Sequence, residues 1–126
     1  MVNYVGFEIK KWPGHHFTVS ILDSATKPTL DILDIIRPYV QIPLKFKGLA
    51  TFANDTPVAL YDDATLLLKE VRDKILLDYP DAGSFPDFKP HVSIKYEAYD
   101  GDTLTVPFTA LAVKPYVSID KLRYYA

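Results

Sequence analysis

Two short segments of this chain carry the same pair of side chains at the same spacing: His16-Phe17-Thr18-Val19 and His91-Val92-Ser93-Ile94. Side chains alternate across a β-strand, so in each segment the imidazole and the hydroxyl share one face and the apolar residues share the other. Continued alternation adds Ser20 to the face of His16 and Lys95 to the face of His91. Ser and Thr make up 14 of the 126 residues, so finding a hydroxyl two places after two of the three histidines is roughly a one-in-thirty coincidence. An unperturbed imidazole titrates near neutral pH, which lets a neutral histidine take a proton and a charged one give it. Two such groups facing each other across a groove suit phosphodiester cleavage, one acting on the attacking hydroxyl or water and one on the leaving oxygen. Thr18 and Ser93 could donate hydrogen bonds to the non-bridging oxygens, with Lys95 or Lys10 adding positive potential. The scheme requires no metal and no cofactor. A zinc site of three histidines is disfavoured, since His15 and His16 cannot both face His91 from one regular strand.

The elements that must hold these residues can be read from pattern and punctuation. Alternation predicts a strand over 2–9 with Val5, Phe7 and Ile9 on one face, a turn at Pro13-Gly14, and the first motif strand over 15–22. Thr26-Lys27-Pro28 then starts a helix of about three turns through Leu30, Leu33, Ile36 and Val40, which Pro38 stops. A strand over 43–53 sets Leu44, Phe46, Gly48 and Ala50 against Lys45, Lys47 and Leu49. Turn residues at 54–57 make it a hairpin with a strand over 58–61. Asp62 or Asp63 caps a second, longer helix whose stripe is Leu67, Leu68, Val71, Ile75 and Leu76, with Glu70 and Lys74 as an i,i+4 pair. A loop over 80–90 leads to the second motif strand over 90–96, and strands over 104–108 and 116–125 close the sheet. Each half of the chain thus holds one helix and one histidine strand, which suggests two similar halves packed about a shared groove.

Composition bounds the function. At 126 residues the chain makes one domain. The net charge is -2 with dispersed Lys and Arg, so a long nucleic acid has no electrostatic footprint, whereas a small anionic ligand held by a few cations fits. With no cysteine, disulfides and thiol chemistry are excluded, in keeping with a reducing compartment. No stretch resembles a signal peptide or a membrane span, so a cytoplasmic location is expected. Oligomeric state leaves no mark in the sequence.

The paired motifs, separated by most of a compact chain, resemble those of the two-histidine phosphoesterase superfamily, also called LigT-like. The run Phe88-Lys89-Pro90-His91-Val92-Ser93-Ile94 is especially similar to that family's second motif, with an aromatic and a proline just ahead of the histidine. The resemblance implies an α+β, bilobal fold whose two pseudo-symmetric sheet-and-helix halves flank a V-shaped groove. It also implies metal-independent phosphodiesterase activity with His16, Thr18, His91 and Ser93 as catalytic residues. Ser93 stands where many members have Thr. Compact viral members of the superfamily hydrolyse cyclic oligonucleotide immune signals, and the small size of this chain points to that substrate type, in a phage counter-defence setting. Hydrolysis of a 2′,3′-cyclic phosphate on a nucleotide or RNA end is the second expectation, and a nucleotide-sequestering module without turnover is the alternative of another class. Tyr4, on one face with Gly6, is a candidate substrate contact or a partly exposed sheet tyrosine. Trp12 could stack on a base or cover the core edge. Lys10 and Lys95 are candidate phosphate contacts, and His15 is structural or exposed.

Overall fold

The computed structural model describes residues 3–22, 30–52, 56–80, 88–94, 99–100, 103–104 and 106–126. In chain order the elements are β1 (Asn3–Ile9), β2 (His16–Leu22), α1 (Leu30–Ile36), β3 (Ile42–Phe52), β4 (Thr56–Asp62), α2 (Leu67–Asp78), β5 (His91–Ser93), β6 (Tyr99–Asp100), β7 (Thr103–Leu104), β8 (Thr109–Ile119) and β9 (Leu122–Tyr125). Seven strands form one antiparallel sheet in the order β2-β1-β8-β3-β4-β5, with β9 also on β8; β6 and β7 pair separately. The fold class is α+β, as expected. Among the described residues, no helix is long and apolar enough to cross a membrane.

One face of the sheet builds the core. Val5 and Phe7 of β1, Phe17 and Val19 of β2, Leu44 of β3, Ala59 and Tyr61 of β4, Val92 of β5 and Val117 of β8 are buried there together with Ile32 and Ile36 of α1 and Leu68, Val71 and Ile75 of α2. Burying such side chains stabilises the fold by roughly 1.5–3 kcal/mol each, before the opposing chain entropy. The sheet coils around this core. Three strands separate β2 from β4, yet Phe17 and Tyr61 meet edge-on across it, ring centroids 5.4 Å apart. The coiling brings the terminal strands β2 and β5 to within 8 Å, Cα to Cα. Both motif strands thus end side by side from opposite ends of the sheet.

Three bulges set which side chain lies on which face, and two of them correct the simple alternation. β1 pairs Val5 with Ser20 but Gly6 with Thr18, so Val19 is an extra residue in β2. Alternation resets there: His16 and Thr18 share a face, while Ser20 is turned into the core and Ile21 takes the outer face at 39% exposure. Lys47 is extra in β3, because Phe46 pairs with Tyr61 and Gly48 with Leu60. Gly48 and Ala50 therefore lie opposite Leu44 and Phe46 rather than with them. Lys114 is the third extra residue, at φ 45, beside Pro115 in β8.

Several boundaries also differ from expectation. α1 runs over 7 described residues, two turns, and ends ahead of Pro38. Tyr39 is then buried at 8% exposure where Val40, at 61%, was expected. Thr26 and Pro28 lie outside the described residues. Leu66, at φ 59, is the N-cap of α2 rather than Asp62 or Asp63; Asp63 reaches the first turn from outside the helix, its Oδ2 accepting the Lys69 amide at 3.0 Å, while Thr65 Oγ1 accepts that of Leu67 at 3.3 Å. The i,i+4 ion pair formed is Lys69 with Asp73, at 2.8 Å; Glu70 instead accepts a hydrogen bond from Tyr39 at 2.7 Å. Residues 106–108 lie between strands, Pro107 offering its carbonyl to the Tyr61 hydroxyl at 2.7 Å. The stretch 116–125 is not one strand. Asp120 and Lys121, both at positive φ (49° and 68°), turn the chain between β8 and β9, matching the type I′ geometry of a two-residue hairpin.

Candidate functional site

His16 and Thr18 project from β2 on the face turned away from the core, opposite Glu8 and Gly6 of β1. Both are half-buried. The Tyr4 ring stacks on the imidazole with centroids 4.9 Å apart and planes 23° apart, and Tyr116 of β8 meets it edge-on at 6.5 Å. The two tyrosine hydroxyls are hydrogen-bonded to each other at 2.9 Å. Two walls of an aromatic box thus fix the orientation of His16. Gly6 makes the box possible, because a Cβ there would lie 2.9 Å from the Phe17 carbonyl oxygen, 3.0 Å from Tyr4 and 3.2 Å from the Tyr116 hydroxyl.

The box has an ionic outer layer supplied by β9. Arg123 lies over the Tyr116 ring at 4.4 Å and bonds Glu8 at 3.2 Å. The Tyr125 hydroxyl donates to the same Glu8 carboxylate, and its ring touches Tyr116 at 5.5 Å. Tyr116 is fully buried. Burial first, and then its bond to Tyr4, push its phenol well above the usual range, so it stays neutral at physiological pH.

His91 starts β5, paired with Leu60, and Ser93 pairs with Val58 two residues on. The core side of this strand is Val92, fully buried against Ala59. His91 and Ser93 therefore lie on the same face of the sheet as His16 and Thr18. His91 Nδ1 is 2.8 Å from the Lys89 carbonyl oxygen. A carbonyl only accepts, so Nδ1 carries the proton and Nε2 is left for chemistry. The ring also rests against Phe52 at 4.5 Å. Ser93 is exposed.

The coiled sheet therefore brings the four motif residues onto one face of two neighbouring strands. Tyr4 joins them, although as a wall of the His16 box. Trp12 does not join them: it is buried in the core at 9% exposure and stacks on His15 at 4.3 Å. His15 is half-buried, with Nδ1 3.2 Å from the Pro13 carbonyl oxygen. Lys10 is exposed just past β1, and Lys95 lies outside the described residues. Sequence reasoning missed Glu8, Tyr116, Arg123 and Tyr125. The alternation of β1 places Glu8 on the face of Tyr4, a signal available from sequence; the others reach His16 only through the pairing of β8 with β1 and β9.

Neither a protein-family model nor a curated protein matches the sequence. Among solved structures the chain is similar to E. coli LigT in its apo form, with a TM-score of 0.53 at 12% identity over 99% of this chain and 92% of that one. Likeness at this identity concerns the fold, and it runs through nearly the whole of both chains. The chain has a LigT-like fold.

Proposed function

We propose that this chain is a metal-independent phosphodiesterase of the two-histidine type, in which the two ends of the sheet supply the two halves of a groove. The observation that carries the reading is the meeting of β2 and β5, each with a histidine and a hydroxyl on the face away from the core. In this mechanism one imidazole takes a proton from the attacking water or hydroxyl while the other protonates the leaving oxygen. Thr18 and Ser93 donate to the non-bridging oxygens as their charge grows. Which histidine serves which oxygen follows from how the substrate lies across the groove.

The substrate we propose is a small nucleotide, a cyclic di- or oligonucleotide second messenger with 3′,5′ or 2′,5′ linkages, degraded in the host cytoplasm as a phage counter-defence. A net charge of -2 supports a compact anionic substrate over a long nucleic acid. The test is to incubate the protein in EDTA with cyclic dinucleotides, cyclic trinucleotides and 2′,3′-cyclic nucleotides, beside a His16→Ala/His91→Ala variant, and to resolve the products. Cleavage of a cyclic oligonucleotide by wild type alone is the expected result. Cleavage confined to 2′,3′-cyclic nucleotides makes the protein an RNA-end enzyme, and binding with no turnover makes it a sequestering module. Each single substitution should slow turnover about a hundredfold or more, and the pH-rate profile should be bell-shaped.

A further inference from the structure

A cavity of about 320 Å³ opens at the C-terminal end of β4, beside the second motif. Leu60, the cross-strand neighbour of His91, forms one wall, and Lys89 and Pro90, which lead into His91, form another. The size is that of a small-ligand pocket. Its lining is split in character: Tyr61, Phe88 and Leu66 give an apolar, partly aromatic part, while Lys47, Lys69 and Lys89 are the cationic residues of the lining.

Two further features bear on what such a cavity would take. Lys47 is the bulged residue of β3, and a bulge re-aims a side chain that regular pairing would send elsewhere. Phe88 is held from one side by Arg72, whose guanidinium lies 5.4 Å from the ring centroid. Of the two acids in the lining, Asp63 is occupied by the Lys69 amide and the Thr65 hydroxyl, which leaves Asp62 against three lysines. Lys69 is also shared with Asp73 at 2.8 Å. Lys47 and Lys89 are therefore the cations that would meet a ligand first. A planar ring against Phe88 and a phosphate between two ammonium groups match this lining.

We infer that this cavity is a nucleotide subsite, taking the base of the unit next to the scissile bond against Phe88 and its flanking phosphate on Lys47 and Lys89. The adjacency to the scissile bond rests on the phosphodiesterase reading; the binding of a nucleotide does not. The first test titrates adenosine 5′-monophosphate, guanosine 5′-monophosphate and inorganic phosphate into the wild-type protein and follows backbone amide shifts by NMR. Saturable nucleotide shifts should map to Leu60, Asp62, Leu66 and Lys89, with inorganic phosphate binding more weakly. Lys47→Gln/Lys89→Gln should weaken nucleotide binding about tenfold or more and raise KM for a dinucleotide more than it lowers kcat. Shifts that map away from the cavity, phosphate binding as tightly as nucleotide, or a variant that binds like wild type would each overturn the subsite. If nucleotides bind in the cavity and no phosphodiester is cut, the subsite stands and the enzyme reading falls. If phosphodiesters are cut and the cavity shows no shifts, the enzyme reading stands and the subsite falls.

Discussion

Replacing Gly6 by Ala tests whether the His16 box is as tight as its geometry implies. Gly6 lies inside a paired strand without positive φ, where Ala ordinarily stabilises by roughly 0.4–1 kcal/mol through the unfolded chain. Here the new methyl would sit 2.9 Å from the Phe17 carbonyl oxygen, which belongs to the backbone and cannot rotate aside. It would also stand 3.0 Å from Tyr4 and 3.2 Å from the Tyr116 hydroxyl, so relief requires β1 and β2 to part or the tyrosines to separate. Overpacking costs about 1–3 kcal/mol, and losing the tyrosine pair adds about 1 kcal/mol. The net expectation is a loss of about 1–3 kcal/mol. Trp12, the chain's one tryptophan and buried in the core, reports unfolding by fluorescence in urea. With a slope of about 1–3 kcal/mol per molar, the midpoint should fall by about 1 M. Turnover should fall as well, because Tyr4 can no longer stack on His16. A midpoint at or above wild type would refute the close approach and the box argued from it.

Removing the Glu8 carboxylate with Glu8→Gln breaks the ionic contact to Arg123 and weakens that to Tyr125; a loss of about 1 kcal/mol and faster amide exchange in β9 are expected, and unchanged exchange at Arg123 would show that β9 is held by its ladder alone. Burial pushes the Tyr61 phenol up to about 12, and Tyr116 is raised too. A phenol raised in the folded state contributes stability in full below its unfolded value of about 10 and loses it as pH rises through the folded value. The urea midpoint should therefore drop between about pH 10 and 12, less steeply in Tyr61→Phe, and equal slopes in the two proteins would count against the assignment. Phe17→Leu, which removes the edge-on contact with Tyr61, should cost about 1–2 kcal/mol and lower kcat beyond the unfolded fraction; a kcat that tracks only the folded population would detach the site from this contact.

What the sequence disclosed about the site is what depends on a strand's own alternation. His16 with Thr18 and His91 with Ser93 sit on shared faces as written, because two residues of one strand need no partner to fix their relation. Ser20 left that face because an extra residue is defined only against a neighbouring strand, and nothing in Val19 itself announces the bulge. Lys47 behaves likewise, and Gly48 and Ala50 change faces with it. Only the end of the central strand β8 fell within the expected strand over 116–125; its stretch 109–115 went unread, and there Pro115 is accommodated beside the Lys114 bulge, where proline is tolerated inside sheets. The Tyr116 wall of the His16 box was out of reach, since Tyr4 and Tyr116 are 112 residues apart and meet only through the order of strands.

The two motif strands are neighbours without a described backbone ladder between them; each is paired on its other side, β2 to β1 and β5 to β4. Their spacing is therefore set by what lies beneath. Phe17 against Tyr61, Val92 in the core and α2 packed near β2 hold the two ends of the sheet together. Packing of this kind is less directional than a ladder, so it fixes the separation of the two histidines while leaving their orientation to local devices. Those devices differ. His16 is clasped by the rings of Tyr4 and Tyr116, whereas His91 is pinned through Nδ1 by the Lys89 carbonyl. A phosphodiester also presents two unlike oxygens, one that gains a partner and one that leaves. Two motifs alike in sequence, set in unlike surroundings, suit the two unlike tasks of the proposed reaction.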